Sequence, residues 1–200
     1  MNTVRVRWMV LAMAAWTGGA WAQADEARAK KIIGGSCFLC HGAEGESSSE
    51  VFPKLAGQHW EYIAKQLENF KSGKRKSTAM ADMAANLKPD EMVALGKYFE
   101  TKSTPVEAAK DVGLAAVGDY VFHFGNKYSG VPACSSCHGK EALGTATLPR
   151  LASQYASYIE NQLMSFGKRE RTNDNAVMHS IVQKMTALEM AAVAEYLSSK

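Results

Sequence analysis

The chain has 200 residues, 46% of them hydrophobic and 22% charged, with 23 Lys and Arg against 20 Asp and Glu. So even a balance offers no electrostatic footprint for a nucleic-acid partner. It contains four cysteines, and their spacing narrows the chemistry more than any bulk property does.

The first 22 residues, MNTVRVRWMVLAMAAWTGGAWA, carry Arg5 and Arg7, then an apolar run from Trp8 to Trp16, then the A-x-A sequence Ala20-Trp21-Ala22. A basic start, a short apolar middle and small residues at a cut site make an export signal, too short and wrongly flanked for a membrane span. Cleavage after Ala22 leaves 178 residues with an excess of one basic group. No later apolar run is long enough to cross a bilayer. The expected mature protein is therefore exported, periplasmic and at most peripherally associated with a membrane.

The segment DEARAKKII predicts a short helix stopped at Gly34, leading into GSCFLCHGAEG. There Cys37 and Cys40 stand two residues apart and His41 follows at once. An exported cysteine pair ordinarily suggests a disulfide. Two such pairs can also hold zinc, and a thioredoxin-like pair needs a βαβ context that is absent from the pattern. None of these uses the histidine. Covalent haem attachment does: both thiols add to the porphyrin vinyl groups and His41 becomes the proximal iron ligand.

From Pro53, PKLAGQHWEYIAKQLENF places Tyr62, Ile63, Gln66, Leu67 and Phe70 at helical spacing, with Gly73 at the end. The basic run Lys74-Arg75-Lys76 follows, and Lys168-Arg169-Arg171 matches it in the second half; such runs can steer docking or face haem propionates, but ordinary solvated loops are expected. STAMADMAANL then offers Met80 and Met83. PDEMVALGKYFE closes this half as a helix burying Met92, Leu95 and Phe99, and TKSTPVEAAKDVG (101–113) reads as a linker.

The second half repeats the first. LAAVGDYVFHF leads, past Gly125, to ACSSCHGKEALG with Cys134, Cys137 and His138. PRLASQYASYIENQLMSF from Pro149 aligns without gaps on the segment from Pro53, with nine of 18 positions identical. ALEMAAVAEYLS matches the earlier terminal helix and buries Met190, Val193 and Leu197. A period near 97 residues, marked by one C-x-x-C-H per half, predicts two haem modules. Gln58, Gln154, Tyr62 and Tyr158 recur in both halves, positions suited to packing, to a haem lining or to a contact between halves. Modules this small bury little apolar surface, so the porphyrin supplies part of each interior and the haem-free chain is expected to fold poorly.

The repeat also selects the second axial ligand. Only Met80 with Met178 and Met92 with Met190 are paired methionines. Met92 and Met190 lie on the apolar stripes of the terminal helices, where methionine is core filler. Met80 and Met178 follow polar, basic segments and are expected in loops crossing the far haem face. Met83 is the rival in the first half and, opposite Ile181, is expected to pack inward. The histidines His59, His123 and His179 have no histidine partner in the other half.

CFLCHG, FPKLAGQ and GKR before Met80, with ACSSCHG, LPRLASQ and RTND before Met178, resemble the cytochrome c4 family over nearly all of residues 24–200. The resemblance implies an all-α protein of two tandem class I cytochrome c domains, here 23–102 and 114–200, joined by a linker at 103–113. It implies two covalently bound haem c groups on Cys37, Cys40, Cys134 and Cys137, with His41, Met80, His138 and Met178 as axial ligands. The carbonyls of Pro53 and Pro149 are expected against the proximal histidines. The implied function is single-electron transfer from a bc1-type complex or other quinol-linked donor to a respiratory terminal oxidase. An alternative is the di-haem subunit of a flavoprotein sulfide dehydrogenase or a similar oxidoreductase. Di-haem peroxidases and thiosulfate dehydrogenases need an open or specially ligated iron, which the paired methionines oppose. The one departure, Gly57 becoming Ser153, bears on the local loop shape alone.

Overall fold

The computed structural model describes residues 18–200, so most of the export signal expected over residues 1–22 lies outside the described residues. The described part is helical, with α1 (Gly18–Ile32), α2 (Phe38–His41), α3 (Trp60–Lys71), α4 (Thr78–Ala84), α5 (Pro89–Glu100), α6 (Val112–Phe124), α7 (Ser135–His138), α8 (Ala156–Gly167), α9 (Val177–Val182) and α10 (Ala187–Ser198). Among the described residues β structure is limited to one antiparallel bridge, Asn126 to Val131. No described helix is long and apolar enough to cross a membrane.

Two separate cores form. In the first, Ala29 and Ile33 from the α1 side pack with Ile63 of α3 and Ala94, Leu95, Tyr98 and Phe99 of α5. In the second, Val121 and Phe122 of α6 pack with Ile159, Leu163 and Phe166 of α8 and Val193, Ala194 and Leu197 of α10. The apolar stripes at helical spacing therefore face inward as their period requires. Gly118 lets α6 and α10 approach closely: a Cβ there would run into the Ala192 carbonyl oxygen.

The leading helices end differently. Gly125 stops α6 in a left-handed conformation, φ 68°, as expected. Gly34 does not stop its helix: the chain runs from α1 into a π-helical turn, Ile33–Cys37, and directly into α2. The expected linker is irregular up to Asp111, but α6 already begins at Val112, capped by the Asp111 carboxylate on Leu114 N–H at 2.9 Å. The buried Glu195 carboxylate of α10 accepts from the N–H groups of Lys110 and Asp111, tying the linker end to the second core.

Gly57 and Ser153 adopt the same left-handed conformation, φ 70° and 63°. Their N–H groups make matching 2.9 Å bonds to the carbonyls of Phe99 and Leu197. A serine there bears some strain, but it is fully buried and its hydroxyl donates to the Lys200 carbonyl at 2.6 Å. The loop shape is preserved.

Candidate functional site

Each C-x-x-C-H run folds as a short helical turn. Cys37 and Cys134 sit at the N-caps of α2 and α7, and His41 and His138 end them. All four thiols are free. Desolvation raises the Cys37 thiol above its ordinary value and pushes Cys134 up to about 11. A thiol held protonated is a poor nucleophile for disulfide exchange, which opposes the redox-pair reading. Among the described residues, one group of three His, Cys, Asp or Glu has its ligand atoms within 4.8 Å of one another, and it is His59, Glu61 and Glu100, with no cysteine.

Both histidines are 8% exposed. His41 Nδ1 lies 3.0 Å from the Pro53 carbonyl oxygen, and His138 Nδ1 lies 3.2 Å from that of Pro149. A carbonyl only accepts, so Nδ1 carries the hydrogen and Nε2 keeps its lone pair. Burial lowers the pKa of both rings, and the proline carbonyls oppose this only in part. The two imidazoles are thus held neutral, in one tautomer, with Nε2 available to iron.

The expected methionines do not lie in open loops. Met80 is in the first turn of α4, its N–H facing the Ser77 hydroxyl at 3.3 Å, and Met178 is in the first turn of α9, its N–H bound to the Asp174 carboxylate at 2.7 Å. Both are partly buried, and Met178 packs against the second core. The polar segments before them are irregular, as expected, and end in the residues that bind the first-turn N–H groups, Ser77 and Asp174. Met83, expected to pack inward, is 48% exposed. His179 is held by the Phe166 carbonyl at 2.9 Å.

The basic runs are not wholly solvated. Arg75 reaches across to the Tyr158 hydroxyl (2.9 Å) and Gln162 (3.0 Å), and also binds Gln66 (2.8 Å). Arg171 mirrors it, reaching the Tyr62 hydroxyl (2.9 Å) while binding Gln162 (2.7 Å). Lys74 and Lys76 stay exposed. A partly buried acceptor row made of Gln and Tyr side chains attracts the guanidinium fork, and sequence alone does not show which side of the loop faces it.

A second reciprocal set lies beside the prolines. Lys54 N–H donates to Gln154 Oε1 (3.0 Å) and Gln154 Nε2 donates to the Lys54 carbonyl (2.9 Å). Arg150 N–H donates to Gln58 Oε1 (2.9 Å) and Gln58 Nε2 donates to the Arg150 carbonyl (3.0 Å). The glutamines were visible as repeated positions; their partners, being backbone atoms, left no sequence signal.

Two helical halves, each presenting paired cysteines and an oriented neutral histidine, define a di-haem c-type cytochrome. The cytochrome c family model matches residues 26–103. Cytochrome c4 of Thiocapsa roseopersicina is 41% identical over 180 residues, covering 88% of this chain and 90% of that protein. The crystal structure of reduced recombinant cytochrome c4 from Pseudomonas stutzeri superposes with a TM-score of 0.81 at 32% identity, over 89% of this chain and 97% of that one. A thiosulfate dehydrogenase electron acceptor of Thiomonas intermedia is 34% identical, covering 96% of this chain and 90% of that protein. The chain belongs to the cytochrome c4 family. It is an electron-transfer protein with class I cytochrome c folds and covalently bound haem c, two such groups matching its two halves.

Proposed function

We propose that this protein carries single electrons in the periplasm from a bc1-type complex or other quinol-linked donor to a respiratory terminal oxidase. In this reading the domains span 23–102 and 114–200 after export. Cys37 and Cys40 hold one haem and Cys134 and Cys137 the other, with His41 and Met80 on the first iron and His138 and Met178 on the second. The observation that carries it is the matched pair of Nδ1–carbonyl contacts to Pro53 and Pro149, which leaves Nε2 of both histidines free to ligate.

The residues fit the group. Two buried donors, Asn69 Nδ2 and Arg150 Nε, lack a partner among the described residues, and haem carboxylates are acceptors that satisfy such donors. A bound haem supplies reversible one-electron exchange at its iron. His41 with Met80 and His138 with Met178 would hold the two irons, which would leave oxygen and peroxide no open site. The thioether sulfurs are soft ligands that favour the ferrous state relative to a second histidine. Ligand type and burial would set the potential within the roughly 0.8 V that haem proteins span.

Mass spectrometry of the denatured chain together with near-infrared magnetic circular dichroism of the folded protein tests this reading. Two haem additions and a histidine–methionine signature are expected. A missing addition, or a bis-histidine signature, would reject the assignment. A second reading, favoured by the Thiomonas relative, makes the protein the electron acceptor of a sulfur-oxidising dehydrogenase of the thiosulfate or flavoprotein sulfide type. Faster reduction by such an enzyme than by a quinol-linked complex would favour it.

A further inference from the structure

One peptide group in each half is bonded at both ends. The Pro53 carbonyl accepts from His41 Nδ1, while the N–H of the same peptide, belonging to Lys54, donates to Gln154 of the other half. The Pro149 carbonyl accepts from His138 Nδ1, and the Arg150 N–H of that peptide donates to Gln58 of the first half. Gln154 is 8% exposed, Gln58 8% and Lys54 4%, so water screens these bonds little.

We propose that Gln154 and Gln58 are positioning residues that act in trans: each half tunes the iron potential of the other through this shared peptide. The inference rests on His41 and His138 being iron ligands. Hydrogen bonds in a chain polarise one another. An acceptor on the Lys54 N–H makes the Pro53 carbonyl a stronger acceptor in turn. A stronger acceptor at His41 Nδ1 makes the ring more electron-rich at Nε2, and a more electron-rich ligand favours ferric iron and lowers the potential. The Nε2 groups of the glutamines bond back to the Lys54 and Arg150 carbonyls, so each amide is fixed with its oxygen toward the N–H. The orientation is not free to invert, because inversion would set donor against donor and acceptor against acceptor.

This arrangement differs from a general tightening of the interface. Loosening the contact between halves exposes both haems and moves both potentials. Loss of one relay moves only the haem of the opposite half.

The test is NMR-monitored redox titration of the full holo-protein, following the ligand-ring resonances of His41 and His138 separately. In wild type both rings must show paramagnetic shifts on oxidation; if His41 or His138 does not, the ligand reading fails before the relay is tested. With both shifted, Gln154→Ala is expected to raise the potential of the His41 haem and leave the His138 haem in place, and Gln58→Ala to do the reverse. Gln154→Glu keeps an oxygen toward Lys54 and adds charge, so it is expected to lower the His41 haem potential, with the larger shift again on that haem. Equal movement of both couples, movement of the couple in the substituted half, or no movement in any of the three variants would overturn the proposal.

Discussion

The Arg171 guanidinium donates to the Tyr62 hydroxyl at 2.9 Å, across from one half to the other, and Arg75 returns the contact to Tyr158 at the same distance. Each guanidinium also lies over a phenyl ring of its own half, Arg75 4.6 Å from the Phe70 centroid and Arg171 4.5 Å from Phe166. Removing one of these arginines strips several partly buried acceptors of their donor at once. Hydrogen bonds to charged groups contribute about 1.5–3 kcal/mol each, so Arg171→Met should cost at least that much in denaturant unfolding of the holo-protein. Tyr62→Phe, which leaves Arg171 its Gln162 and Asn173 partners, should cost less.

A pH dependence follows from Glu189. Burial alone would raise its carboxyl, but bonds from Thr186 N–H, Asn126 Nδ2 and the Thr186 hydroxyl outweigh burial and hold it below its ordinary value of 4.5. A carboxyl depressed in the folded state contributes stability that is present above its unfolded pKa and lost as pH falls through its folded pKa. The stability gap between wild type and Glu189→Gln should therefore narrow on acidification from about pH 6 to about pH 3. A gap that widens would contradict stabilisation by these bonds to the ionised carboxylate.

The two methionines of α4 should separate cleanly. Met80→Ala should leave the first iron without its sulfur, lower that haem's potential and admit carbon monoxide, while the second haem stays unchanged. Met83 is half exposed, and substitutions at such positions usually fall within about 0.5 kcal/mol, so Met83→Ala should keep both spectrum and stability. Carbon monoxide binding by the Met83 variant and not by the Met80 variant would exchange the two assignments.

Gly118→Ala tests the α6–α10 contact, since its Cβ would meet the Ala192 carbonyl. Backbone cannot yield as a flexible side chain does, and overpacking costs of about 1–3 kcal/mol are typical. Thermal unfolding should show the loss, with the second half affected before the first.

Much of this was legible in the chain. The two C-x-x-C-H runs and the repeat of PKLAGQ in PRLASQ located the two short cysteine turns and the prolines whose carbonyls meet their histidines, because a fixed tautomer constrains residue type at each position. The terminal helices showed their buried faces through period alone. The interface was not legible. Its Gln58 and Gln154 bonds end on backbone atoms, which every residue carries, and Arg75 looks like its neighbours Lys74 and Lys76 until the fold turns it toward Tyr158. Gly34 likewise misled as a helix stop, since only the backbone shows that the turn widens to a π-helix there.

The central claim, two six-coordinate haems each passing one electron, is tested most directly by coulometric titration of the purified holo-protein with optical monitoring under carbon monoxide. The account predicts two electrons per chain, taken up at low-spin haem, with no carbon monoxide adduct in wild type. Uptake of a single electron, or a carbon monoxide adduct at either haem of the native protein, would contradict it.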